Sequence, residues 1–303
     1  MIGNYAKFCI GLHIQRDRAA GTITVDQSHY ISKLLTKFNM EESKTVDTPM
    51  VAGTLLTDAD MPTPGSEEHT HMQSVPYREL VGALLYAQHT RPDIAFAVSV
   101  VARYMHNPGI KHWQAAQRIL KFLKGTITQG ITFHATVALS LFAMCDADWA
   151  AHTETRRSQT GIAIFLCGAV ICVISTQQKA VALSTAEAES VCTSDCVKEV
   201  THLRAILAEI PGAEQHGATT VFQDNQACIA LAKSGQENKH RRHVDIRMKY
   251  VIEQVQKRAV QLTYISTKRQ IADVLTKALY ATQFKYCAAR LLGLEHATEH
   301  PSQ

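Results

Sequence analysis

The sequence predicts an α/β protein whose second half forms a mixed sheet covered by helices. Three strand-like apolar runs follow one another after Gly130, a long helical pattern begins at Ser184, and two more strand-like runs alternate with helices. Strands adjacent along the chain form antiparallel hairpins, whereas strands joined through a helix run parallel. The predicted order is therefore βββαβα(α)βα, antiparallel at its first hairpins and parallel at the helical crossovers.

The elements of the first half are of a different kind. Two β-rich runs at 7–15 and 21–27 predict a hairpin, and Ser28 precedes a helical apolar pattern. Residues 48–76 are rich in Pro, Thr, Gly, Ser and acidic residues, and their apolar residues follow neither helical nor strand periodicity. This composition predicts a loop or tether. Further helices are predicted at 77–89, 93–106 and 112–124.

In the second half, the start of the long helix is the best-marked boundary. Ser184 followed by Glu187 makes a capping box, and Pro211 with Gly212 ends the pattern. Strands are predicted at 137–145, 161–166, 169–175, 219–223 and 260–266, and further helices at 227–233, 245–256 and in a final helical region.

Composition limits the classes of protein to consider. The 303 residues, 46% hydrophobic with a net charge of +4, fit about two domains and permit a nucleic-acid partner. The eight cysteines include no Cys-x-x-Cys pair, the spacing typical of zinc sites and redox dithiols. We therefore expect reduced and mostly buried thiols. No apolar run is long enough to suggest a membrane span, and the first residues do not resemble a secretory signal, so we expect a cytosolic or nuclear protein.

Four acids of the second half stand where α/β proteins place functional groups. Asp146 closes the first strand of this half, Asp224 closes the strand at 219–223, and Asp273 follows the last strand by a short loop. Glu189 lies on the first turns of the long helix. Singly, each has an ordinary explanation as turn chemistry or a solvated helix position. The four acids together predict a functional site at this edge of the sheet.

Carboxylates brought together repel one another unless cations neutralise them. Ligation by oxygen alone favours Mg²⁺, with Mn²⁺ as a substitute, and two ions suit phosphoryl chemistry. Two ambiguities remain, because Asp148 shares a strand face with Asp146 and Glu187 competes with Glu189. We assign Glu187 to the capping box, which leaves Glu189 free to point at the sheet.

Short strings of residues run through nearly the whole chain in a recognisable order. In the second half they are CDADWA at 145–150, RRS at 156–158, TG at 160–161, VALSTAEAE at 181–189, DNQ at 224–226, HVDIR at 243–247 and IADVLTK at 271–277. In the first half they are TRPDI at 90–94, RYM at 103–105, HW at 112–113 and RILKFLKGT at 118–126. In this order they resemble the C-terminal part of Pol polyproteins from copia-type LTR retrotransposons.

This resemblance implies a domain plan and a function. Residues 136–292 would form a ribonuclease H-like domain with a mixed five-stranded sheet, residues 1–135 an α+β, thumb- or connection-like remnant of reverse transcriptase, and residues 293–303 a tail. The acids that match the family's catalytic and metal-binding residues are Asp146, Glu189, Asp224 and Asp273. The implied activity is cleavage of the RNA strand of RNA–DNA hybrids in a retrotransposon particle, with other parts of a Pol polyprotein as partners.

The chain departs from the family pattern in two places. It has no paired aspartates of the Tyr-x-Asp-Asp type, so we expect no DNA synthesis. The loop at 266–270, before the last acid, lacks the histidine that many ribonucleases H carry there, which leaves the proton-shuttling role unassigned.

Basic residues near the predicted site are candidates for contact with nucleic acid. They are Arg156, Arg157, Lys239, Arg241, Arg242 and His243, and a solvated basic loop is the alternative at each position. Two alternative functions stay open. One is a catalytically inactive nucleic-acid-binding remnant, and the other is a DNA nuclease that shares the same arrangement of carboxylates.

Overall fold

The computed structural model describes residues 7–152, 154–234 and 242–295, with the backbone alone for residues 234 and 242–245. The chain divides into two compact units. The first unit contains residues Met1–His134 and Ala278–Leu294, and the second contains Ala135–Lys277 and Glu295–Gln303. None of the described helices is both long and apolar enough to cross a membrane.

The first unit combines a small sheet with helices. The predicted hairpin is present, and its antiparallel sheet has the order β1-β2-β3-β4. The strands are β1 (Phe8–Cys9), β2 (Leu12–Asp17), β3 (Thr22–Asp26) and β4 (Ile131–His134). The helices are α1 (Ser28–Lys37), α2 (Glu67–Ser74), α3 (Tyr77–Ala87), α4 (Ala95–Ala102) and α5 (Ile110–Gly125).

The second unit is built on a five-stranded mixed sheet with the order β7-β6-β5-β8-β9. The first three strands pair antiparallel, and β5 pairs parallel with β8, which pairs parallel with β9. This topology confirms the predicted mixed α/β sheet. The strands are β5 (Phe142–Asp148), β6 (Gln159–Leu166), β7 (Ala169–Gln177), β8 (Thr219–Gln223) and β9 (Val260–Tyr264).

Helix α6 (Thr185–Ala208) packs across β5 and carries much of the core of the second unit. The predicted cap is present, because the Ser184 hydroxyl accepts a hydrogen bond from the Glu187 N–H at 3.2 Å. The Glu187 carboxylate in turn accepts from the Leu183 N–H at 2.8 Å. Helices α7 (Gln226–Ser234) and α8 (Arg242–Gln256) follow β8. All eight cysteines are free, and five are buried, as predicted.

Segment 271–275 is a 3-10 helix that lies tight against β6 at Gly161. A Cβ atom at Gly161 would stand 2.7 Å from Thr276 Cγ2 and 2.9 Å from the Ala272 carbonyl oxygen. Both separations are shorter than van der Waals contact, so glycine is required for this approach. The segment is also tied to β5, because the Gln270 side-chain amide donates to the Cys145 carbonyl at 3.0 Å.

Several local predictions differ from the structure. The predicted tether at 48–76 contains α2, which begins where the Ser66 hydroxyl accepts from the His69 N–H at 3.1 Å. The predicted helix at 93–106 is shorter, since a 3-10 turn precedes α4. Strand β4 was missed because four residues are too short to show a period.

The end of the predicted nuclease domain also differs from the compact division. The final helix, α9 (Ala281–Leu291), belongs to the first unit rather than to a domain ending at residue 292. Its Phe284 ring meets the Phe122 ring edge to face at 5.3 Å between centroids. The Leu292 carbonyl accepts from the Thr132 N–H of β4 at 2.8 Å. These contacts are formed by residues far apart in sequence, which local patterns do not report.

Candidate active site

Asp146 lies within β5 and does not close it, contrary to the prediction, because the strand begins at Phe142 and continues to Asp148. The residue as a whole is 5% exposed, and its carboxylate accepts from the Thr276 hydroxyl at 2.5 Å. Register explains its position at the site. Met144 pairs with Phe222 across the parallel strands, so Asp146, two residues after Met144, stands level with Asp224, the residue that directly follows β8.

Glu189 is positioned by the cap of α6. Glu187 is engaged at the cap, as predicted, whereas Glu189 faces the sheet, where it contacts Gln223 of β8 and is 3% exposed. Its carboxylate accepts from the Gln223 side-chain amide at 3.0 Å, and the same amide donates to the Thr193 hydroxyl at 3.1 Å. Burial, with a smaller contribution from Asp146, raises the pKa of Glu189 to about 9.

Asp224 directly follows β8. The Thr267 hydroxyl donates to its carboxylate at 2.9 Å. Burial raises the pKa of Asp224 and the neighbouring Asp146 adds to this effect, while the Thr267 hydrogen bond opposes it. Thr267, in the loop that follows β9, therefore fixes the orientation of the half-buried Asp224 carboxylate.

Three of the four predicted acids come together. Asp146, Glu189 and Asp224 each present a carboxylate oxygen, and these three oxygens lie within 4.8 Å of one another. Within the described ranges this is the one group of three or more His, Cys, Asp or Glu side chains with such spacing. Ionised carboxylates this close and this buried repel one another strongly.

The donor set fits a hard divalent cation. It is made of oxygen alone, from β5, α6 and the residue after β8, and it contains neither imidazole nor thiolate. The raised pKa values of Glu189 and Asp224 describe the same repulsion and burial that a cation would relieve. The residues present therefore suit such an ion.

Asp273 is placed beside this group and is not one of its three members. It is 4% exposed in segment 271–275, and the Lys277 Nζ stands 3.1 Å from its Oδ1. The same ammonium nitrogen stands 4.0 Å from Asp146 Oδ2. Burial and the Asp146 charge raise the pKa of Asp273 to about 7, against the effect of Lys277.

Sequence reasoning missed Lys277, Gln223, Thr267 and Thr276, which hold the acids in place. A signal for Lys277 was present, because a lysine four residues after an aspartate faces it across one helical turn. The other three contacts join residues 34 or more positions apart, which spacing does not reveal. Asp148 stands next to the site, and its pKa is raised by burial.

The predicted nucleic-acid contacts divide into three cases. Arg156 and Arg157 are exposed in the loop between β5 and β6, at the end of β5 where Asp148 lies. Arg242 and His243 begin α8 and so belong to a helix rather than to the predicted basic loop. Lys239 and Arg241 lie outside the described residues.

Comparison with known proteins identifies the family. The chain is 36% identical over 290 residues to the retrovirus-related Pol polyprotein of transposon TNT 1-94 from Nicotiana tabacum, covering 95% of this chain and 22% of that protein. It is 33% identical over 288 residues to the corresponding polyprotein of transposon RE1 from Arabidopsis thaliana, covering 92% of this chain and 19% of that protein. The chain belongs to the Pol polyproteins of copia-type retrotransposons and spans about a fifth of the length of these relatives.

No protein-family model matches the chain. Among solved structures, a ribonuclease H1 isolated from compost by a metagenomic approach matches with a TM-score of 0.36 and 11% identity. That match covers 46% of this chain and 94% of the other.

Proposed function

We propose that the second unit is a divalent-metal-dependent ribonuclease H that cleaves the RNA strand of RNA–DNA hybrids formed during reverse transcription. The single observation that carries this proposal is the cluster of Asp146, Glu189 and Asp224, whose carboxylate oxygens lie within 4.8 Å of one another. Membership of the Pol polyprotein family supports the choice of substrate.

Each acid has a defined place in this proposal. Asp146, Glu189 and Asp224 would hold the ion, and Asp273 would complete the acidic surroundings from the neighbouring segment. Mg²⁺ is the ion that this set favours, with Mn²⁺ as a substitute, and a bound ion supplies Lewis-acid chemistry at the scissile phosphate.

Hydrogen bonds fix the orientation of the three acids before any ion binds. Gln223 donates to Glu189, Thr267 donates to Asp224, and Thr276 donates to Asp146. Such preorganisation lowers the cost of assembling the charged site.

The substrate would be read through its backbone. A hybrid is recognised by groove shape, phosphates and 2′-hydroxyls, so we expect cleavage with little sequence preference. Arg156 and Arg157 are exposed beside the acidic end of β5, where they can contact phosphates. Arg242, His243, Lys239 and Arg241 are further proposed contacts, and the setting would be a cytoplasmic retrotransposon particle or the nucleus.

The test is cleavage of a labelled RNA–DNA hybrid by the full chain with Mg²⁺. We expect RNA-strand cleavage by the parent protein, and a loss of at least about 100-fold in Asp224→Asn, which removes one ligand charge. Asp195→Asn is the matched control, because Asp195 forms ion pairs with Lys198 and Arg247 and takes no part in the acidic cluster.

Three results would contradict the proposal. Binding of the hybrid without cleavage would indicate the inactive nucleic-acid-binding alternative. Cleavage of double-stranded DNA in preference to the hybrid would indicate a DNA nuclease. Full activity in Asp224→Asn would remove Asp224 from the site. Templated extension of a primer is not expected, since the chain has no paired aspartates of the polymerase type.

A further inference from the structure

Lys277 brings a positive charge into the acidic site, next to Asp146 and Asp273. Its ammonium nitrogen stands 3.1 Å from Asp273 Oδ1 and 4.0 Å from Asp146 Oδ2, so it lies between two carboxylates that are themselves 6–7% exposed. The Lys277 side chain is 39% exposed, so it is partly open to solvent while its ammonium group contacts the two buried carboxylates.

A second cation shared by Asp146 and Asp273 would stand at the position of this ammonium group. Asp146 belongs to the cluster of three acids and Asp273 does not, so an ion placed between those two aspartates would be the second one. A cation there meets the Lys277 ammonium, and like charges at such separations repel strongly. The lysine also supplies Asp273 with the counter-charge that an ion would otherwise provide.

We propose that the Lys277 ammonium takes the place of the second cation, so that the protein free of nucleic acid binds one divalent ion, held by Asp146, Glu189 and Asp224. Lys277 is then a positioning residue that keeps Asp273 from acting as a ligand. The inference rests on the proposed function, and it replaces the sequence-based expectation of two resident ions with one.

Binding of Mn²⁺ alone, without any nucleic acid, tests this assignment. The full chain is titrated with Mn²⁺, and free Mn²⁺ is followed by its electron paramagnetic resonance signal. We expect about one bound ion per chain in the parent protein, and about two in Lys277→Gln, whose site has lost one positive charge. The second ion should bind Lys277→Gln at least about tenfold more tightly than any second ion binds the parent.

Two further variants serve as controls. Lys277→Arg keeps the positive charge and should bind about one ion, as the parent does. Lys257→Gln removes the same charge from a surface pair with Glu253, also at i,i+4 spacing, and should leave the stoichiometry at about one.

The outcomes separate this inference from the proposed function. Two ions bound by the parent, by Lys277→Arg or by Lys257→Gln would overturn it, as would a Lys277→Gln variant that binds only one. Stoichiometry is measured without substrate, whereas the proposed function fails only through the hybrid cleavage assay. A parent that binds one ion but does not cleave a hybrid would therefore support the inference and contradict the activity.

Discussion

Glu189 is the least exposed of the four predicted site acids. It is 3% exposed, its only described donor is the Gln223 amide, and burial with the Asp146 charge raises its pKa to about 9. Its folded-state pKa lies above the ordinary value of 4.5, so its contribution to stability is full below pH 4.5 and is lost as the pH rises towards 9. At neutral pH this acid destabilises the fold when no metal is bound.

We therefore expect Glu189→Gln to stabilise the metal-free protein and to lose the response to metal. At pH 7 the gain is about 1–3 kcal/mol, because the neutral amide avoids the cost of holding a protonated acid. Urea unfolding in EDTA and in Mg²⁺ measures both effects. Glu187→Gln is the control on the same helix, since its amide oxygen can still accept from the Leu183 N–H. A variant at Glu189 that Mg²⁺ still stabilises would contradict the assignment.

His112 of α5 is buried without a counter-charge in contact. It is 0% exposed, accepts from the Gly109 N–H at 2.8 Å and stacks on Tyr104 with 4.0 Å between centroids. Burial lowers its pKa below 6.5, while Asp60, Glu68 and Asp58 oppose that shift. The folded state therefore favours the neutral ring.

This shift predicts acid sensitivity of the first unit. The contribution of the neutral His112 ring to the free energy of unfolding is complete above pH 6.5. It is lost as the pH falls, because the unfolded chain binds the proton more readily than the folded chain does. We expect the free energy of unfolding to fall by at most about 1.4 kcal/mol per pH unit below pH 6.5 from this group. His112→Gln should flatten that slope in urea unfolding at pH 7.5 and 5.5, and equal slopes in the parent and the variant would show that folding does not lower the pKa of His112.

At the scale of elements, the approach of segment 271–275 to β6 sets where Asp273 and Lys277 stand. Gly161 leaves room for this approach, and the Ser175 hydroxyl of β7 donates to the Leu275 carbonyl at 2.7 Å. The segment contacts three strands through backbone and polar groups. Its position is therefore decided by the sheet and not by its own helical propensity.

Gly161→Ala should move this segment. The added methyl group would overlap Thr276 Cγ2 at 2.7 Å and the Ala272 carbonyl at 2.9 Å, at a cost of about 1–3 kcal/mol in unfolding free energy. Hybrid cleavage should fall as well, because Thr276 would no longer hold the Asp146 carboxylate. Gly82→Ala, in α3 with no atom within 4 Å of the added methyl group and no positive φ, controls for the loss of a glycine without steric overlap. Equal losses in both variants would rule out the steric explanation.

At the scale of the whole molecule, each compact unit has its own buried apolar side chains. In the first unit they include Ile31, Leu80, Leu84, Ile119 and Leu123, and in the second they include Ile162, Ile164, Val197, Val200 and Val221. Separate cores allow separate unfolding transitions. The three acids that would hold the ion all belong to the second unit.

Calorimetry should therefore resolve two transitions, of which Mg²⁺ raises one. At a metal concentration about 100 times the dissociation constant, the gain of about 2.7 kcal/mol corresponds to a shift on the order of 5 °C. The control, Asp224→Asn, should show two transitions and no shift. A shift of both transitions in the parent protein would contradict the assignment of the metal to the second unit alone.

The sequence by itself determined the local features of the structure, and its resemblance to a known family determined the rest of what could be predicted. Alternation and helical spacing placed the strands of the mixed sheet, and the Ser184 cap correctly assigned Glu187 to the helix start and Glu189 to the sheet. These features depend on residues within a few positions of one another, so a single sequence contains them. The chain's family followed from the order of short strings.

Only the tertiary structure decided which acids share a site. The parallel register of β5 and β8 brings Asp146 level with Asp224, and α6 packs Glu189 against them. The same register does not extend to Asp273, whose place depends on the contact at Gly161 and whose partner is Lys277. Contacts between residues separated by 34 to 130 positions arise from sheet pairing and core packing, and no local pattern records them.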